Sequence, residues 1–175
     1  MESFNIALYL DKTYPAPKYP AVFSPGTHAL QKISSEAFTN GVGYALMPVA
    51  LPLVAKPGFL DDRGCEYFCR TRKVDVAKLS ERIEAGAKKW GDIHELWDEF
   101  GKQLEVNVGI AEGPFVMGKQ ISFIDFAIGG MFHWIRRAEG GEMLWWKGMA
   151  QWQGGRWARL WAEIEKLERN STEVA

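Results

Sequence analysis

Cysteine, net charge and long apolar runs are all scarce in this chain of 175 residues, and each scarcity argues against a class of protein. Only Cys65 and Cys69 are present, so a secreted domain held together by disulfides is not expected. A net charge of -1 gives no electrostatic reason to bind nucleic acid or an anionic membrane. The longest apolar run, residues 42–55, contains Pro48 and Pro52 and is too short to span a bilayer. The chain does not begin with a basic segment followed by an apolar one. We therefore expect no secretory signal and a cytoplasmic location.

Apolar residues recur at intervals of three and four, which predicts an all-α chain with no strand. They make up 47% of the sequence, enough for a hydrophobic core. Pro48 and Pro52 should kink or break the second helical region, and Gly91 with Asp92 should interrupt the third. The predicted helical regions, apart from a central helix described next, are residues 3–12, 26–56, 63–107 and 157–169.

The stretch EGPFVMGKQISFIDFAIGGMFHWIRR contains the strongest helix-start signal. Ser122 is placed to be an N-cap and Asp125, three residues later, to reach back to its backbone N–H, which is a capping box. Ile121 before the cap and Phe126 after it are placed to form a hydrophobic staple. The residues that follow are apolar on nearly every side, which predicts a central helix buried all round.

For the residues that could be reactive, the sequence favours structural roles. Cys65 and Cys69 are predicted to be ordinary thiols, since a metal site needs further ligands nearby and the histidines are far apart in sequence. His133 is expected to be a core histidine with satisfied hydrogen bonds. Ser122 and Asp125 have no base beside them, so we expect a cap rather than a catalytic pair. Eight tryptophans, five of them between residues 145 and 161, favour core packing, with the wall of a flat apolar pocket as the alternative.

The first predicted helix, residues 3–12, is too short to be stable alone in water. Ser3 is predicted to cap it. Its many apolar residues indicate that it packs against a partner surface.

Two segments resemble a known family. SFIDFAIGGMFHWIRR resembles the central helix in the C-terminal domain of cytosolic glutathione transferases, and ESFNIALYLDKTYP resembles the last helix of their thioredoxin-like domain. GCEYFCRTRK and GGRWARLW are similar to fungal members of the etherase-like and ustiloxin-biosynthesis-like kind. The resemblance implies an all-α bundle of the glutathione-transferase C-terminal type around a central buried helix, with a remnant N-terminal helix. The implied divisions are a remnant helix (1–14), a linker (15–25), the helical domain (26–170) and a tail (171–175).

The resemblance also implies a function. The family conjugates glutathione, its co-substrate, to small apolar electrophiles or cleaves ethers with it, in detoxification or secondary metabolism, and forms homodimers. Glu2 and Ser3 match positions that contact the γ-glutamyl end of glutathione, while Tyr44, Met47 and Trp134 are candidates for lining the electrophile pocket.

The resemblance implies that the family's catalytic Ser, Tyr or Cys belongs to a portion that precedes the residues matched here. We therefore identify no catalytic residue and expect the chain as given to be inactive. We expect no metal, and no nucleic-acid or membrane partner. The alternative is a non-catalytic helical module that binds hydrophobic ligands or a partner protein.

Overall fold

The computed structural model describes residues 2–107, 109, 112–140 and 144–170, and these form eight α-helices and no strand. The prediction of an all-α bundle is confirmed. The helices are α1 (Glu2–Thr13), α2 (His28–Phe38), α3 (Met47–Val54), α4 (Asp62–Arg72), α5 (Leu79–Lys88), α6 (Trp90–Gln103), α7 (Phe123–Glu139) and α8 (Leu144–Arg169).

The second predicted helical region does bend near its prolines. A π-helical turn, Thr39–Gly43, extends α2, and the chain then turns by 76° into α3. Pro48 lies in the first turn of α3, where the missing N–H would have no intrahelical partner in any case. Pro52 is accommodated inside the helix. The bend therefore precedes both prolines instead of falling at either of them.

The third predicted region is divided into three α-helices instead of being one interrupted helix. The Asp61 carboxylate caps α4 by accepting the Gly64 N–H at 2.6 Å, and Lys73 ends this helix in the left-handed conformation. The boundary between α5 and α6 falls at Lys89, two residues before the predicted break at Gly91.

Helix α7 is the central helix of the bundle, but it is not buried all round. Ile128, Phe132 and Ile135 are fully buried, while Phe126 is 39% exposed and Gly130 also reaches the surface. The prediction of complete burial was wrong because it counted apolar residues without asking which neighbours cover them. Phe126 lies on the side where α7 and α8 leave an open groove.

Helix α8 is broken near its middle. Residues 152–155 leave helical geometry, and Gln153, Gly154 and Gly155 have positive φ angles. Glycine adopts this conformation without the penalty that a Cβ brings. The predicted glycine-preceded last helix therefore corresponds to the second part of α8.

The tryptophans chiefly fill the core. Trp97 and Trp157 are at most 1% exposed, and their ring centroids lie 5.0 Å apart in an edge-to-face arrangement. Phe132 of α7 lies 5.5 Å from Trp97. Such aromatic pairs stabilise a core beyond their buried area. The aromatic cluster thus joins α6, α7 and α8.

No single helix among the described residues is both long and apolar enough to cross a bilayer; His28–Gly43 and Met47–Val54 satisfy those criteria only when taken together as a bent pair.

Candidate functional site

The beginning of α1 lies beside the beginning of α7. Phe4 is 5% exposed, and its ring packs edge-on against Phe23 at 5.2 Å and Phe123 at 5.0 Å. Phe23 and Phe123 are themselves stacked, 5.6 Å apart. This three-ring cluster fixes the N-terminal end of α1 against the helical bundle.

The segment that follows α1 is also held in place. Both carboxylate oxygens of Asp11 accept backbone hydrogen bonds, from Val22 at 2.9 Å and from Phe23 at 3.0 Å. The carboxylate therefore closes the loop between α1 and α2. Because Phe23 also takes part in the ring cluster, the loop and the helix start are anchored together.

Ser3 lies at the exposed end of this arrangement. It is the second residue of α1, inside the helix, so the prediction that it caps the helix from outside was wrong. The backbone of Glu2 begins α1, but its side chain lies outside the described residues. The first N–H groups of a helix have no intrahelical acceptor and attract anions, so this end is suited to a carboxylate ligand.

The start of α7 is a buried polar network. The Asp125 carboxylate accepts hydrogen bonds from the Ser122 N–H and hydroxyl, both at 2.8 Å, and from the Val116 N–H at 2.7 Å. Ser122 and Asp125 are both fully buried, which raises the pKa of Asp125 although the three hydrogen bonds oppose that effect. The network fixes the start of α7 and the turn before it, and the side chains are too enclosed for solution chemistry.

Gln31 extends this network to α2, and the sequence analysis missed it. Its side chain is 3% exposed; Oε1 accepts the Ile124 N–H at 3.2 Å and Nε2 donates to Met117 Sδ at 3.1 Å. A lone glutamine in an amphipathic helix carries no signal of burial, so only the structure shows that it bridges two helices.

The three proposed pocket residues lie at different places. Tyr44 is 55% exposed in the turn after the π-helical segment, and Trp134 is half-buried on α7 against the core. Met47 lines a groove of about 190 Å³ between α3 and α5, whose other lining residues are Pro48, Leu51, Pro52, Arg82, Ala85, Gly86 and Lys89. The described geometry does not unite the three in that groove.

Two further clefts were not predicted. One, of about 370 Å³, is largely apolar and runs between α7 and α8 beside Phe126, Gly130 and Leu167. The other, of about 390 Å³, lies beside the second part of α8 and contains Arg156 and Arg159. Burial and the neighbouring Arg159 charge lower the pKa of Arg156. None of the predicted pocket residues lines either cleft.

His133 is not the core histidine that the sequence predicted. Its side chain is 42% exposed, Nε2 accepts from Arg137 Nε at 3.3 Å, and Nδ1 lies 4.0 Å from a Glu168 oxygen. It points to the surface between α7 and α8, again because α7 is covered on only part of its circumference.

Two helices carry large apolar side chains that are exposed. On α1 these are Ile6 (57% exposed), Tyr9 (66%) and Leu10 (47%), and on α2 they are Leu30 (61%) and Ile33 (65%). Several large exposed apolar residues on one helix are typical of a surface that meets another molecule or domain.

The sequence of the chain is also similar to those of known proteins. Residues 29–167 match the family model of the glutathione S-transferase C-terminal domain. The glutathione S-transferase-like protein ustS of Aspergillus flavus is 28% identical over 191 residues, an alignment covering 99% of this chain and 63% of that protein.

Solved structures of glutathione transferases are also similar to this chain. A glutathione S-transferase of Ceriporiopsis subvermispora in complex with glutathione has a TM-score of 0.80 and 32% identity, with coverage of 97% of this chain and 66% of that one. A glutathione transferase of Phanerochaete chrysosporium has a TM-score of 0.76 and 27% identity, with coverage of 91% and 62%. This chain therefore spans just under two thirds of the length of each of these relatives.

Proposed function

Because the chain belongs to the glutathione S-transferase family through its C-terminal domain, we propose that the protein uses glutathione as a co-substrate. In this proposal it conjugates glutathione to small apolar electrophiles, or cleaves small ethers with it, in detoxification or secondary metabolism. The observation that carries the proposal is that 97% of the chain aligns with a transferase solved in complex with glutathione, at a TM-score of 0.80. The relatives described above are transferases or transferase-like proteins, which does not favour a non-catalytic binding module.

The glutathione end of the proposed site is the start of α1. The free backbone N–H groups there and the exposed Ser3 hydroxyl suit the α-carboxylate of the γ-glutamyl group. Glu2 is assigned to the neighbouring ammonium group, because opposite charges form strong, charge-assisted hydrogen bonds. The burial of Phe4 supports this assignment, since a ligand-binding helix end must be held still.

The electrophile is assigned to the apolar side of the helical domain. Tyr44, Met47 and Trp134 remain the proposed lining, and the exposed tyrosine offers both an apolar ring and a hydroxyl. The three residues lie on α7, at the start of α3 and in the turn before α3, so the proposed lining is a broad surface completed by further contacts. A small, flat, apolar molecule fits such a lining best.

The proposal also covers the division of the chain into segments, the oligomeric state and the cellular location. Residues 1–14 are assigned to the last helix of a thioredoxin-like domain, 15–25 to a linker, 26–170 to the helical domain and 171–175 to a tail. A homodimer is proposed, supported by family membership. A cytoplasmic location is proposed as well, supported by the two free thiols.

The test is retention on immobilised glutathione, elution by free glutathione, and turnover of an aryl-halide and an aryl-ether probe. It is run on the 175-residue chain and on the product of the longest reading frame that includes it. We expect Ser3→Ala to weaken retention about tenfold, equivalent to one charge-assisted hydrogen bond. Ser80→Ala, at an exposed serine on α5, is the matched control and leaves retention unchanged. Absence of both retention and turnover in both forms would overturn the proposal.

A further inference from the structure

The cleft beside the second part of α8 contains two arginines, Arg156 and Arg159. They lie three residues apart, so they occupy neighbouring turns on one side of the helix. Within the part of the chain that the structure describes, neither guanidinium forms an ion pair with a carboxylate. The cleft therefore holds two like charges that no described ion pair neutralises.

The environment of Arg156 disfavours its charge. The side chain is half-buried, and burial together with the Arg159 charge lowers its pKa, although the charge of Glu105 opposes the shift. A lowered pKa means that the guanidinium is less stable here than it is in water. An anion in the cleft would reduce this penalty.

We propose that Arg156 and Arg159 bind the carboxylate of a small, flat organic acid in this cleft. A guanidinium presents a planar fork of N–H donors that matches a carboxylate, and its flat face stacks on an aromatic ring. The volume of about 390 Å³ lies within the range of about 300–1,000 Å³ that is usual for small-molecule sites. Pro114, Ala162 and the arginine stems supply apolar surface for the rest of the ligand.

The acidic residues of the cleft limit the charge of the ligand. Glu112 and Glu163 line the cleft together with the arginines. Glu163 accepts a hydrogen bond from Lys166 at 2.6 Å, which partly balances its charge, while Glu112 is exposed. These carboxylates repel a dianion more strongly than a monoanion. The cleft is therefore better suited to a monocarboxylate than to sulfate or phosphate.

Hydrogen bonds hold part of the cleft lining in place before any ligand binds. Arg159 Nη1 donates to the Gly154 carbonyl at 2.7 Å, in the break of α8. Asn107 Nδ2 donates to the Val116 carbonyl at 2.8 Å, and the Val116 N–H donates to Asp125 in the buried network at the start of α7. Lining residues that are already held lose less conformational freedom when a ligand binds.

This inference does not rest on the proposed function. The described residues that line the cleft include none of those assigned to glutathione or to the electrophile. The experiment therefore contains no glutathione and measures no turnover, so its failure leaves the proposed function unaffected.

The experiment titrates the 175-residue chain with 1-naphthoate, a flat monocarboxylate. Parallel titrations use 1-naphthamide, which has a similar shape but no charge, and inorganic sulfate, which is a dianion. NMR spectra of the backbone amides and of the arginine Nε–H groups give both the dissociation constant and the place of binding.

Four variants provide the comparison. Arg156→Gln removes one charge without breaking a described ion pair, and Arg159→Gln removes the other together with its bond to Gly154. Arg159→Lys keeps the charge but loses the planar fork. Arg72→Gln is the matched control, because it makes the same change in net charge at an exposed arginine of α4 outside the cleft.

We expect saturable binding of 1-naphthoate, with shifts over residues 112–114 and 156–163. Naphthamide and sulfate should bind at least about tenfold more weakly. Arg156→Gln and Arg159→Gln should each lose about tenfold in affinity, equivalent to one charge-assisted hydrogen bond. Arg159→Lys should lose less, and Arg72→Gln should bind as the native chain does.

The proposal would be overturned by an absence of saturable binding, or by equal affinity in the native chain and Arg156→Gln. Binding of the amide or of sulfate as tight as that of naphthoate would overturn it as well. Shifts confined to residues outside the cleft would also count against it, because the acid would then occupy another site.

Discussion

Gly129 of α7 lies directly against Ile164 of α8: a methyl group added at Gly129 would come within 2.3 Å of Ile164 Cδ1. Ile164 Cδ1 is the end of a flexible, half-buried side chain, and it has to move aside for the added methyl group. We therefore predict that Gly129→Ala stabilises the protein less than the gain of about 1 kcal/mol that the helix propensity of alanine alone would give. Denaturant unfolding measures the net change.

Gly130 is the matched control, because nothing lies within 4 Å of the position that its Cβ would take. Gly130→Ala should therefore stabilise the protein by up to about 1 kcal/mol. Adding Ile164→Val to Gly129→Ala removes the clashing Cδ1 and should recover stability. If Gly129→Ala and Gly130→Ala behave alike, α7 and α8 do not approach as closely as described.

Gln31 gives a second prediction, on the contact between α2 and α7. Gln31→Met preserves the shape of the side chain but removes the acceptor for the buried Ile124 N–H. Leaving a buried donor unpaired costs about 1–3 kcal/mol, so the unfolding midpoint should fall. Gln103→Met, the same change at an exposed position, should alter it little. Equal effects of the two changes would show that the Gln31 bridge contributes no stability.

Much of the fold was predictable because its signals are local. The capping box of Ser122 and Asp125 depends on only four consecutive residues, and Gly154 and Gly155 mark the break in α8. Which side of a helix is covered is a tertiary property. Phe126 and His133 were therefore placed in the interior although both reach the surface.

The candidate site was less predictable for the same reason. Gln31 and Phe4 contact residues about 90 to 120 positions away, and no local pattern indicates those contacts. The cysteine pair is an example in which the sequence predicts part of the geometry but not all of it. Its spacing predicts a shared helix face, but the distance of 3.8 Å between the two sulfur atoms depends on side-chain rotamers.

Phe4 carries the third prediction, on the anchoring of α1. Phe4→Ala removes both edge-on ring contacts and opens a cavity, and a buried Phe→Ala change typically costs about 3–5 kcal/mol. Because α1 lies at the periphery, we expect the loss chiefly as faster amide exchange over Glu2–Thr13. Ile6→Ala, at a residue 57% exposed on the same helix, is the control and should leave exchange nearly unchanged.

Asp125 carries the last prediction, on pH. Burial raises its pKa above the ordinary value of 3.8, so the folded state holds the proton more tightly than the unfolded state does. The stability that this titration contributes is complete below pH 3.8 and is lost as the pH rises through the raised value. The difference in unfolding free energy between the native chain and Asp125→Asn should therefore shrink across that window. A difference that grows instead would mean that the bonds from Val116 and Ser122 outweigh burial, and a carboxyl NMR titration of the native chain decides the sign independently.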